Sequence, residues 1–600
     1  MPAGLCTRTI SAAAITVLSA VVGARAALPP VPVPAENPIT EPKRLLGKML
    51  FWDEQMSADS TVACASCHIP ARAGSDGRRA RQPGFDGQLN TPDDVIASPG
   101  VVRSDEFSKY VRDAVFGTQR QVTGRTAGSP INAAYAPELF WDGRASSTFV
   151  DPETGLTSIA AGGALESQSV APPVNGTEMG HDHMNWPQIT AKLRSVRPLA
   201  LSTNIPADVA AALASRPGYP ELFRRAFGDG AITADRVARA IATYERTLIA
   251  DDTPWDRFMA GQTNALTPGQ TAGWGAFQAS RCIDCHAAPF FSDQSFRNIG
   301  LRPPTEDLGR QNVTSNPADR GRFKVPSLRN VGLKNSFMHN GQITSLTDVI
   351  RFYARAPGGL PQFADNRDPI MPQVNVPANV APALQDFLTN GLTDARVRNE
   401  TFPFDRPTLS EQRPNDRPVL QAGGTAGATG TPQMIAVTPP MLGNADFRLG
   451  VANARPGAAA TVRIYDASPA LAVLAPRLVL DATTVNADGV ATALWPLTGG
   501  NFTNGQTVYA QWAIVDPAAP GGEAQSNIAM IRFFCGSMGC PALCPADQNS
   551  DGALTVQDIF AFLTLWFQGD LGADFDSSGQ NSVADIFSYL SAWFAGCGTI

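Results

Sequence analysis

Apolar and polar positions follow two different patterns along the 600-residue chain. In the segment 346–353, apolar residues fall at i, i+3, i+4 and i+7, which predicts an amphipathic helix with Tyr353 on its buried face. In residues 433–535, short segments alternate or run apolar between turn signals, which predicts an all-β sandwich domain. The predicted strands lie in Phe447–Val451, Thr461–Tyr465, Arg477–Leu480, Val490–Trp495, Thr507–Val515 and Ile528–Phe534.

Residues 540–600 hold an internal repeat with a period of 27, because Asp558–Gly569 aligns with Asp585–Gly596 without a gap. Each copy follows an oxygen-rich loop with the spacing of an EF-hand-type calcium loop, in which a glycine allows the sharp turn. The loop residues are Asp547, Asn549, Asp551, Gly552, Thr555 and Asp558 in the first copy, and Asp574, Asp576, Ser578, Gly579, Ser582 and Asp585 in the second. This pattern predicts a small α-helical module that binds calcium.

The two loops differ from a standard calcium loop in ways that affect affinity. Both end on aspartate where a longer glutamate is usual, and Ser578 removes one charge from the second loop. We therefore expect the first loop to bind calcium more tightly than the second.

Two short motifs have the spacing that attaches haem covalently. They are Cys64-Ala-Ser-Cys67-His68 and Cys282-Ile-Asp-Cys285-His286. In such a motif the two thiols add across the haem vinyl groups and the adjacent histidine binds the iron. The sequence therefore predicts two covalently bound c-type haems.

The remaining cysteines fit an oxidising compartment. Cys6 lies in a predicted signal peptide, and four cysteines near the C-terminus are left, an even number that suits two disulfides. Because Cys544 and Cys597 bracket the repeats, we predict that they pair, which leaves Cys535 for Cys540.

The first 26 residues resemble a secretory signal, with Arg8 ahead of an apolar stretch that is too short to span a bilayer. No later segment is apolar over about 18 residues, so no transmembrane segment is predicted. We expect the mature protein in the periplasm or at the exterior of a bacterium. The net charge is −7 and no basic tract appears, which argues against nucleic-acid binding.

The number of histidines limits how the two irons can be coordinated. The chain has five histidines, and beyond the two motifs His181, His183 and His339 remain. Two bis-histidine haems would need two of these three, so a ligand of another type, or an open site, is expected for at least one iron. An open iron is what peroxide needs in order to bind.

Several further motifs carry a family resemblance. They are Leu46-Gly-Lys-Met-Leu-Phe-Trp-Asp53, Asn132-Ala-Ala-Tyr135, Phe140-Trp-Asp-Gly-Arg144, Glu178-Met-Gly180, Val325-Pro-Ser-Leu-Arg-Asn-Val331 and His339-Asn-Gly341. From about residue 37 to 400 the chain resembles the bacterial dihaem cytochrome c peroxidase and MauG superfamily. The resemblance implies two mostly helical cytochrome c-like domains, over residues 27–250 and 251–405, with the peroxidatic haem in the first. A linker over 406–432, rich in proline and glycine, is predicted before the β-sandwich.

The resemblance also implies roles for individual residues. Trp141 would lie between the haems, Glu178 would be the distal carboxylate that assists proton transfer, and Gln168 would be a second polar distal residue. From the residues alone, Trp141 fits a core position equally well and Glu178 fits the surface equally well.

Tyr353 separates the two branches of the superfamily. The MauG branch has a tyrosine as distal ligand of the second haem at this position, whereas the peroxidase branch has methionine. A phenolate lowers the potential of the iron and a thioether raises it. We predict Tyr353 as the ligand, with Met338 and Met371 as rivals.

Two departures from the family pattern affect the predicted chemistry. The stretch Phe116–Arg120 has no histidine where many peroxidases place one that leaves the first haem on reduction, which indicates a site that is open without activation. The family's calcium ion between the haems is also in question, because the residues near Thr126, Lys334 and Ser336 differ from the usual set. Backbone carbonyls are the alternative ligands there.

The sequence as a whole predicts a secreted dihaem peroxidase of MauG type. Hydrogen peroxide would react at the first haem. The second haem would store or relay an oxidising equivalent through Trp141, and an electron donor or protein substrate of unknown identity would be oxidised. The alternatives are a conventional cytochrome c peroxidase with a small redox protein as donor, and a non-enzymatic dihaem electron carrier. The C-terminal repeats resemble dockerin-type repeats, which implies a protein partner; a calcium-stabilised module with no partner is the alternative.

Overall fold

The computed structural model describes residues 28–470, 474–498, 502–537, 539, 546–548, 554–576 and 580–596. The predicted signal peptide, residues 1–26, lies wholly outside these ranges. So do Cys540, Cys544, Cys597, Asn549, Asp551 and Ser578. Within the described part of the chain, none of the helices combines the length and the apolar character that a membrane crossing requires.

The first two-thirds of the chain are built mainly from helices joined by long loops. The α-helices up to residue 398 are α1 (Glu41–Trp52), α2 (Cys64–Cys67), α3 (Ala164–Ser169), α4 (Trp186–Ser195), α5 (Ala207–Ala212), α6 (Tyr219–Phe227), α7 (Ala234–Glu245), α8 (Pro254–Met259), α9 (Pro268–Ala279), α10 (Gln311–Thr314), α11 (Leu346–Ala354), α12 (Ala381–Asp386) and α13 (Ala395–Arg398). Short antiparallel ribbons join some of the loops. Their strands are β1 (Ala80–Gln82), β2 (Val95–Ala97), β3 (Pro99–Val102), β4 (Arg120–Val122), β5 (Phe149–Val150), β6 (Thr157–Ile159), β7 (Phe296–Arg297) and β8 (Phe323–Lys324).

We call residues 28–250 the first unit; its core is formed where α1 packs against α7. Gly47 of α1 lies directly against the backbone carbonyl of Ala240 in α7, so any side chain at Gly47 would collide with it. The buried Asp53 ends α1, and its carboxylate accepts hydrogen bonds from the backbone of Leu199 and the hydroxyl of Tyr219. This packing fixes the chain that runs from α1 into α2, where the first haem-attachment motif lies.

We call residues 251–394 the second unit; its core is an aromatic cluster that includes Trp255, Phe277, Phe291 and Phe387. Helix α9 begins at a capping box formed by its N-cap Thr267 and leads directly to the second motif. Helix α11 confirms the helix predicted over residues 346–353.

The packing around residue 405 differs from the predicted domain boundary. Val397, Phe404 and Leu409 are buried in the core of the first unit rather than the second. The backbone N–H and the hydroxyl of Ser410 also donate to the buried carboxylate of Glu54, at 2.6 and 2.8 Å. The chain therefore returns to the first unit before it enters the β-rich region.

The β-rich C-terminal region predicted from the sequence is confirmed, and its strands form two antiparallel sheets. The strands are β9 (Val419–Gln421), β10 (Gln433–Ile435), β11 (Arg448–Ala452), β12 (Ala459–Tyr465), β13 (Leu478–Val479), β14 (Thr483–Thr484), β15 (Ala491–Leu494), β16 (Thr507–Val515), β17 (Glu523–Gln525) and β18 (Ile528–Arg532). One sheet has the order β10-β11-β15 and the larger one has the order β13-β12-β16-β18-β9, with β14 on β12 and β17 on β16. Both sheets contribute to one cluster of buried side chains around Trp512.

The segment 406–432, which the sequence predicts as a linker, is part of the folded structure. Its strand β9 pairs with β18 at the edge of the larger sheet. The adjacent residues Val419 and Leu420 are both exposed on this strand, so it lacks the apolar alternation that marks a strand in a sequence. The prediction of a linker is therefore wrong.

The C-terminal repeats form two equivalent helices, α14 (Val556–Phe567) and α15 (Val583–Ala595). The rings of Phe562 and Tyr589, which are equivalent in the two repeats, stack at 4.0 Å. The indole of Trp566 donates to the carbonyl of Ser582 at 2.8 Å, and the indole of Trp593 donates to the carbonyl of Thr555 at 3.1 Å. Each repeat thus closes on the start of the other.

A buried ion pair offers a direct test of the first core. Arg246 at the end of α7 bonds to Glu166 of α3 at 2.7 Å, and both side chains are at most 1% exposed. Because Glu166→Ala leaves an unpaired buried guanidinium, it should lower the free energy of unfolding by about 3–5 kcal/mol in urea denaturation.

The matched control is Glu221→Ala, which removes a carboxylate paired with Arg224 and Arg225 on the exposed face of α6. This replacement should lower the free energy of unfolding by less than about 1 kcal/mol. An equal loss of unfolding free energy in the two variants would contradict the role assigned to the buried pair.

Candidate active site

The first motif presents a histidine whose orientation is fixed by the backbone. Cys64 and Cys67 begin and end α2, and His68 follows at its C-cap. Nδ1 of His68 lies 3.1 Å from the carbonyl oxygen of Gly74. Because a carbonyl can only accept, Nδ1 carries the proton and Nε2 is left as the metal-binding atom. Burial lowers the pKa of His68, which keeps the ring neutral as a ligand must be.

The second motif repeats this arrangement. Nδ1 of His286 lies 3.1 Å from the carbonyl oxygens of both Phe291 and Pro326, and burial lowers the pKa of its ring. None of the four motif cysteines, Cys64, Cys67, Cys282 and Cys285, forms a disulfide. Each motif thus offers two thiols and one oriented neutral imidazole, which fits a c-type haem. Cys535, in contrast, is disulfide-bonded, and the other three C-terminal cysteines lie outside the described residues.

A cavity of about 830 Å³ opens beside the first motif. It is lined by Cys64, Cys67, His68, Trp141, Gln168 and Glu178. The structure therefore brings the three residues predicted as distal or bridging to the same cavity as the first motif. Its volume lies in the range of about 300–1,000 Å³ that is typical of ligand and cofactor pockets. Among the described residues, His68 is the one histidine in its wall.

Glu178 is a partly buried carboxyl group at this cavity. The amide of Asn175 fixes its backbone, whereas no described residue donates a hydrogen bond to its carboxylate. Burial raises the pKa of Glu178, and the opposing effect of Arg144 is smaller. Such a group can hold and release a proton closer to neutral pH than an exposed glutamate.

Glu245 is a second cavity carboxyl, and it was missed in the sequence. It ends α7, it is 4% exposed, and burial raises its pKa to about 8. Oε2 of Glu245 has no hydrogen-bond partner. The signal available in the sequence is its spacing, because Glu245 lies four residues after Ile241 on the apolar face of α7.

Trp141 lies where the two units meet. Its indole nitrogen donates to the carbonyl of Thr126 at 2.9 Å, and its own carbonyl accepts from the backbone of Lys324 in β8 of the second unit at 2.7 Å. Its ring lies 6.2 Å from the ring of His339, which in turn stacks on Phe323 at 3.6 Å. Trp141 thus contacts the cavity of the first unit and an aromatic group of the second.

An ion-pair network holds the same junction. Arg125 bonds to Asp142 at 2.6 Å and to Asp307 of the second unit at 2.7 Å. Burial alone would raise the pKa values of both carboxyls, but Arg125 holds both below their usual value. The residue next to Trp141 is therefore tied by charge to the second unit.

Tyr353 lies on α11 in the core of the second unit, in the same cluster as Cys282. Burial, and then the thiols of Cys285 and Cys282, raise the pKa of Tyr353. Its hydroxyl makes no hydrogen bond to a described residue. The rivals Met338 and Met371 belong to the same cluster, so position in the core alone does not separate the three.

His181, His183 and His339 do not line the first cavity. His181 is buried, with Nδ1 bonded to the carbonyl of Asp182 at 2.7 Å, and His183 is exposed. Burial lowers the pKa of His339 to about 4, which keeps this ring at the junction neutral.

The junction does not fit the calcium ion considered in the sequence analysis. Thr126, Lys334 and Ser336 line a cavity of only about 10 Å³. Arg78 and Arg79 line it too, against a single carboxylate, Asp76, which Arg78 already binds at 2.9 Å. Three cationic side chains oppose a divalent cation at this place.

The second repeat loop, in contrast, gathers acidic oxygens. Asp574, Asp576 and Asp585 each offer a carboxylate oxygen within 4.8 Å of the others. Thr555 and Ser582 cap α14 and α15, and Asp558 and Asp585 complete the capping boxes. Asp547 of the first loop is buried, but Asn549 and Asp551 lie outside the described residues.

The chain is similar in sequence to known proteins. Residues 41–264 match the family model described as di-haem cytochrome c peroxidase. The chain is 31% identical to the methylamine utilization protein MauG of Methylorubrum extorquens, over 54% of this chain and 72% of that protein. It is 30% identical to the cytochrome-c peroxidase IdrP1 of Denitromonas iodatirespirans, over 57% of this chain and 80% of that protein.

Solved structures are similar as well. A MauG-like protein associated with microbial copper homeostasis is 24% identical, with a TM-score of 0.44, over 63% of this chain and 96% of that chain.

Proposed function

The chain belongs to the di-haem cytochrome c peroxidase and MauG family, and from that premise we propose that it is a peroxidase of MauG type. Membership of this family makes it an oxidoreductase that acts on hydrogen peroxide with two c-type haems. The observation that carries the finer proposal is the cavity beside His68, which is lined by Glu178, Gln168 and Trp141 but, among the described residues, by no second histidine. When this cavity holds the haem, its wall would offer the iron no second histidine, which would leave the iron accessible to peroxide.

The protein's own residues have separate tasks in the proposed reaction, in which peroxide takes up two electrons and two protons to give two waters. When bound, the haem at each motif supplies an iron that exchanges single electrons. His68 and His286 would hold these irons through Nε2, since their Nδ1 hydrogen bonds orient the two rings. Glu178 takes a proton from the incoming peroxide and returns it to the departing oxygen, and the Gln168 amide orients the peroxide.

Trp141 and Tyr353 define the second half of the reaction. Trp141 joins the cavity wall to the second unit, and we assign it the relay of oxidising equivalents between the units. We assign Tyr353 as the distal ligand of the second haem, because a phenolate favours high oxidation states. An external electron donor or a protein side chain would then be oxidised at the second unit.

A conventional cytochrome c peroxidase is the second candidate function. The observation that favours it is the presence of Met338 and Met371 in the same core as Tyr353, since a thioether ligand would give a high-potential second haem suited to a small redox protein. A non-enzymatic electron carrier agrees less well with the cavity, because electron transfer alone does not require an acid/base carboxyl group there.

Replacement of Glu178 tests the proton-transfer role. Glu178→Gln should slow the reaction of the ferric protein with peroxide by about 10²–10⁴-fold in stopped-flow measurements. Because burial raises the pKa of Glu178, its basic form accumulates only above that raised pKa. The wild-type rate should therefore rise with pH through this pKa, and the rise should vanish in the variant.

Glu306→Gln serves as the control, because Glu306 is a carboxylate paired with Arg302 elsewhere in the chain. It should leave both the rate and the pH profile unchanged. A Glu178→Gln variant with wild-type kinetics would remove this residue from the mechanism.

Replacement of Tyr353 tests the second ligand. Tyr353→Phe should change the absorption and EPR spectra of the second haem only, and Tyr353→Met should raise its reduction potential. Tyr509→Phe in β16 is the control and should change neither. Unchanged spectra in Tyr353→Phe, with altered spectra in Met338→Leu or Met371→Leu, would favour the conventional peroxidase.

We assign the chain to the periplasm or the cell exterior, with residues 1–26 as its signal peptide, because covalent haem attachment and a disulfide at Cys535 suit an oxidising compartment.

We assign the C-terminal repeats to binding a protein partner. In support, the equivalent residues Phe560 and Phe587 are 65% and 67% exposed, and Phe567 and Phe594 are 78% and 76% exposed. Apolar groups exposed at matching positions of both repeats are typical of a docking surface.

We also assign one calcium ion to each repeat loop, and titration calorimetry of the chelator-treated protein should show two sites. Asp558→Asn should abolish the tighter site and Asp585→Asn the weaker one, since each removes the carboxylate at the last ligand position. Asp570→Asn, outside the loops, is the control. Calcium binding that persists in the Asp558/Asp585 double variant would contradict this assignment.

A further inference from the structure

One wall of the cavity comes from the long loop between β3 and β4. Asp113, Val115 and Phe116 of this loop line the cavity. They form a tight turn in which Asp113 and Gly117 exchange backbone hydrogen bonds of 2.6 and 3.0 Å. The carboxylate of Asp113 also accepts from the backbone of Val115 and Phe116, both at 2.8 Å. The turn is therefore a small rigid body whose position depends on what holds its base.

The first unit itself holds the turn weakly. The backbone of Val111 donates to the carbonyl of Arg103 at 3.0 Å, which closes the loop before the turn begins. Arg103 bonds to Asp182, but it approaches Asp113 of the turn only to 3.9 Å. Other contacts must fix the turn against the cavity.

The β-rich domain supplies one such contact through Tyr110, which is 1% exposed. Its ring packs in a cluster with Ile435, Ala452 and Val490 of that domain. The backbone N–H of Tyr110 donates to the hydroxyl of Thr492 at 2.8 Å. The ring lies so close to Gly450 that a Cβ atom there would come within 2.5 Å of it.

A second contact lies immediately before the turn, at Arg112. Nε of Arg112 donates to the carbonyl of Asp488 at 3.1 Å, and Nη2 donates to Oδ1 of Asn453 at 2.9 Å. Both acceptors belong to the β-rich domain. A residue adjacent to Asp113 is thus held by a part of the chain more than 300 positions away in sequence.

We propose that the β-rich domain acts as a clamp that fixes the 113–117 turn as one wall of the cavity and thereby sets the size of molecule that enters. Tyr110 and Arg112 are positioning residues, because they touch the β-rich domain and not the cavity. Without them the loop would regain conformational freedom, and its turn would leave the wall for part of the time. The part of this proposal that concerns entry of molecules rests on the proposed function, in which the cavity is the open site. The part that concerns the position of the turn does not rest on it.

The clamp can be tested on the full-length ferric protein with both haems attached. Arg112→Ala and Thr492→Val each remove clamp hydrogen bonds and leave the apolar cluster intact. Hydrogen–deuterium exchange of residues 113–117 should become about 10-fold faster in each variant, the factor expected from one or two lost hydrogen bonds. Arg320→Ala, which removes an arginine bonded to Asp365 instead, is the matched control and should leave this exchange unchanged.

Ligand entry is measured on the same variants with two probes of different size. Imidazole should bind the first haem about 10-fold faster in the clamp variants, in step with the loop opening, whereas the rate for the smaller cyanide should change less than about 2-fold. Wild-type exchange of residues 113–117 in both variants would overturn the clamp. Faster exchange with unchanged imidazole binding would overturn its control of entry.

A result against the proposed function can be distinguished from a result against the clamp. If neither probe bound the wild-type ferric protein, the cavity would not be an open site, and the proposed control of entry would also be wrong. The exchange measurement would still decide whether the β-rich domain fixes the turn.

Discussion

His68 and His286 each donate the Nδ1 proton to a backbone carbonyl, and the placement of everything else in the site depends on this bond. This hydrogen bond leaves Nε2 free and fixes the plane of the ring. In each motif the histidine directly follows the second cysteine. Ligand and covalent tether therefore share one short stretch of backbone. Burial keeps both rings neutral, so that the imidazole remains a ligand rather than a cation.

The rest of the first unit can be understood as support for that arrangement. Helices α1 and α7 pack closely through Gly47, which fixes the chain entering the first motif, and α7 ends at the cavity with Glu245. The junction with the second unit is held by charge through Arg125 and by the aromatic contact of Trp141 with His339. In the reaction that we propose, electron relay through Trp141 and proton transfer through Glu178 would use different parts of the wall of one cavity.

How much of this could be predicted from the sequence depends on the range of the interactions. The two motifs and the helix over 346–353 are local patterns, and family membership, which the sequence also predicted, is confirmed by the relatives. The role of segment 406–432 was missed because β9 is held through its backbone, which leaves no side-chain pattern. The bond between Tyr110 and Thr492 joins residues 382 positions apart, and no local pattern marks either of them as an interface residue.

The central claim, that one haem is open to peroxide and the other is closed, is tested most directly by low-temperature EPR of the purified ferric protein before and after peroxide is added. We expect one high-spin signal, which peroxide consumes, beside one low-spin signal. Two low-spin signals that peroxide leaves unchanged would contradict it, and would indicate either an electron carrier or an enzyme that must be reduced before its first haem opens.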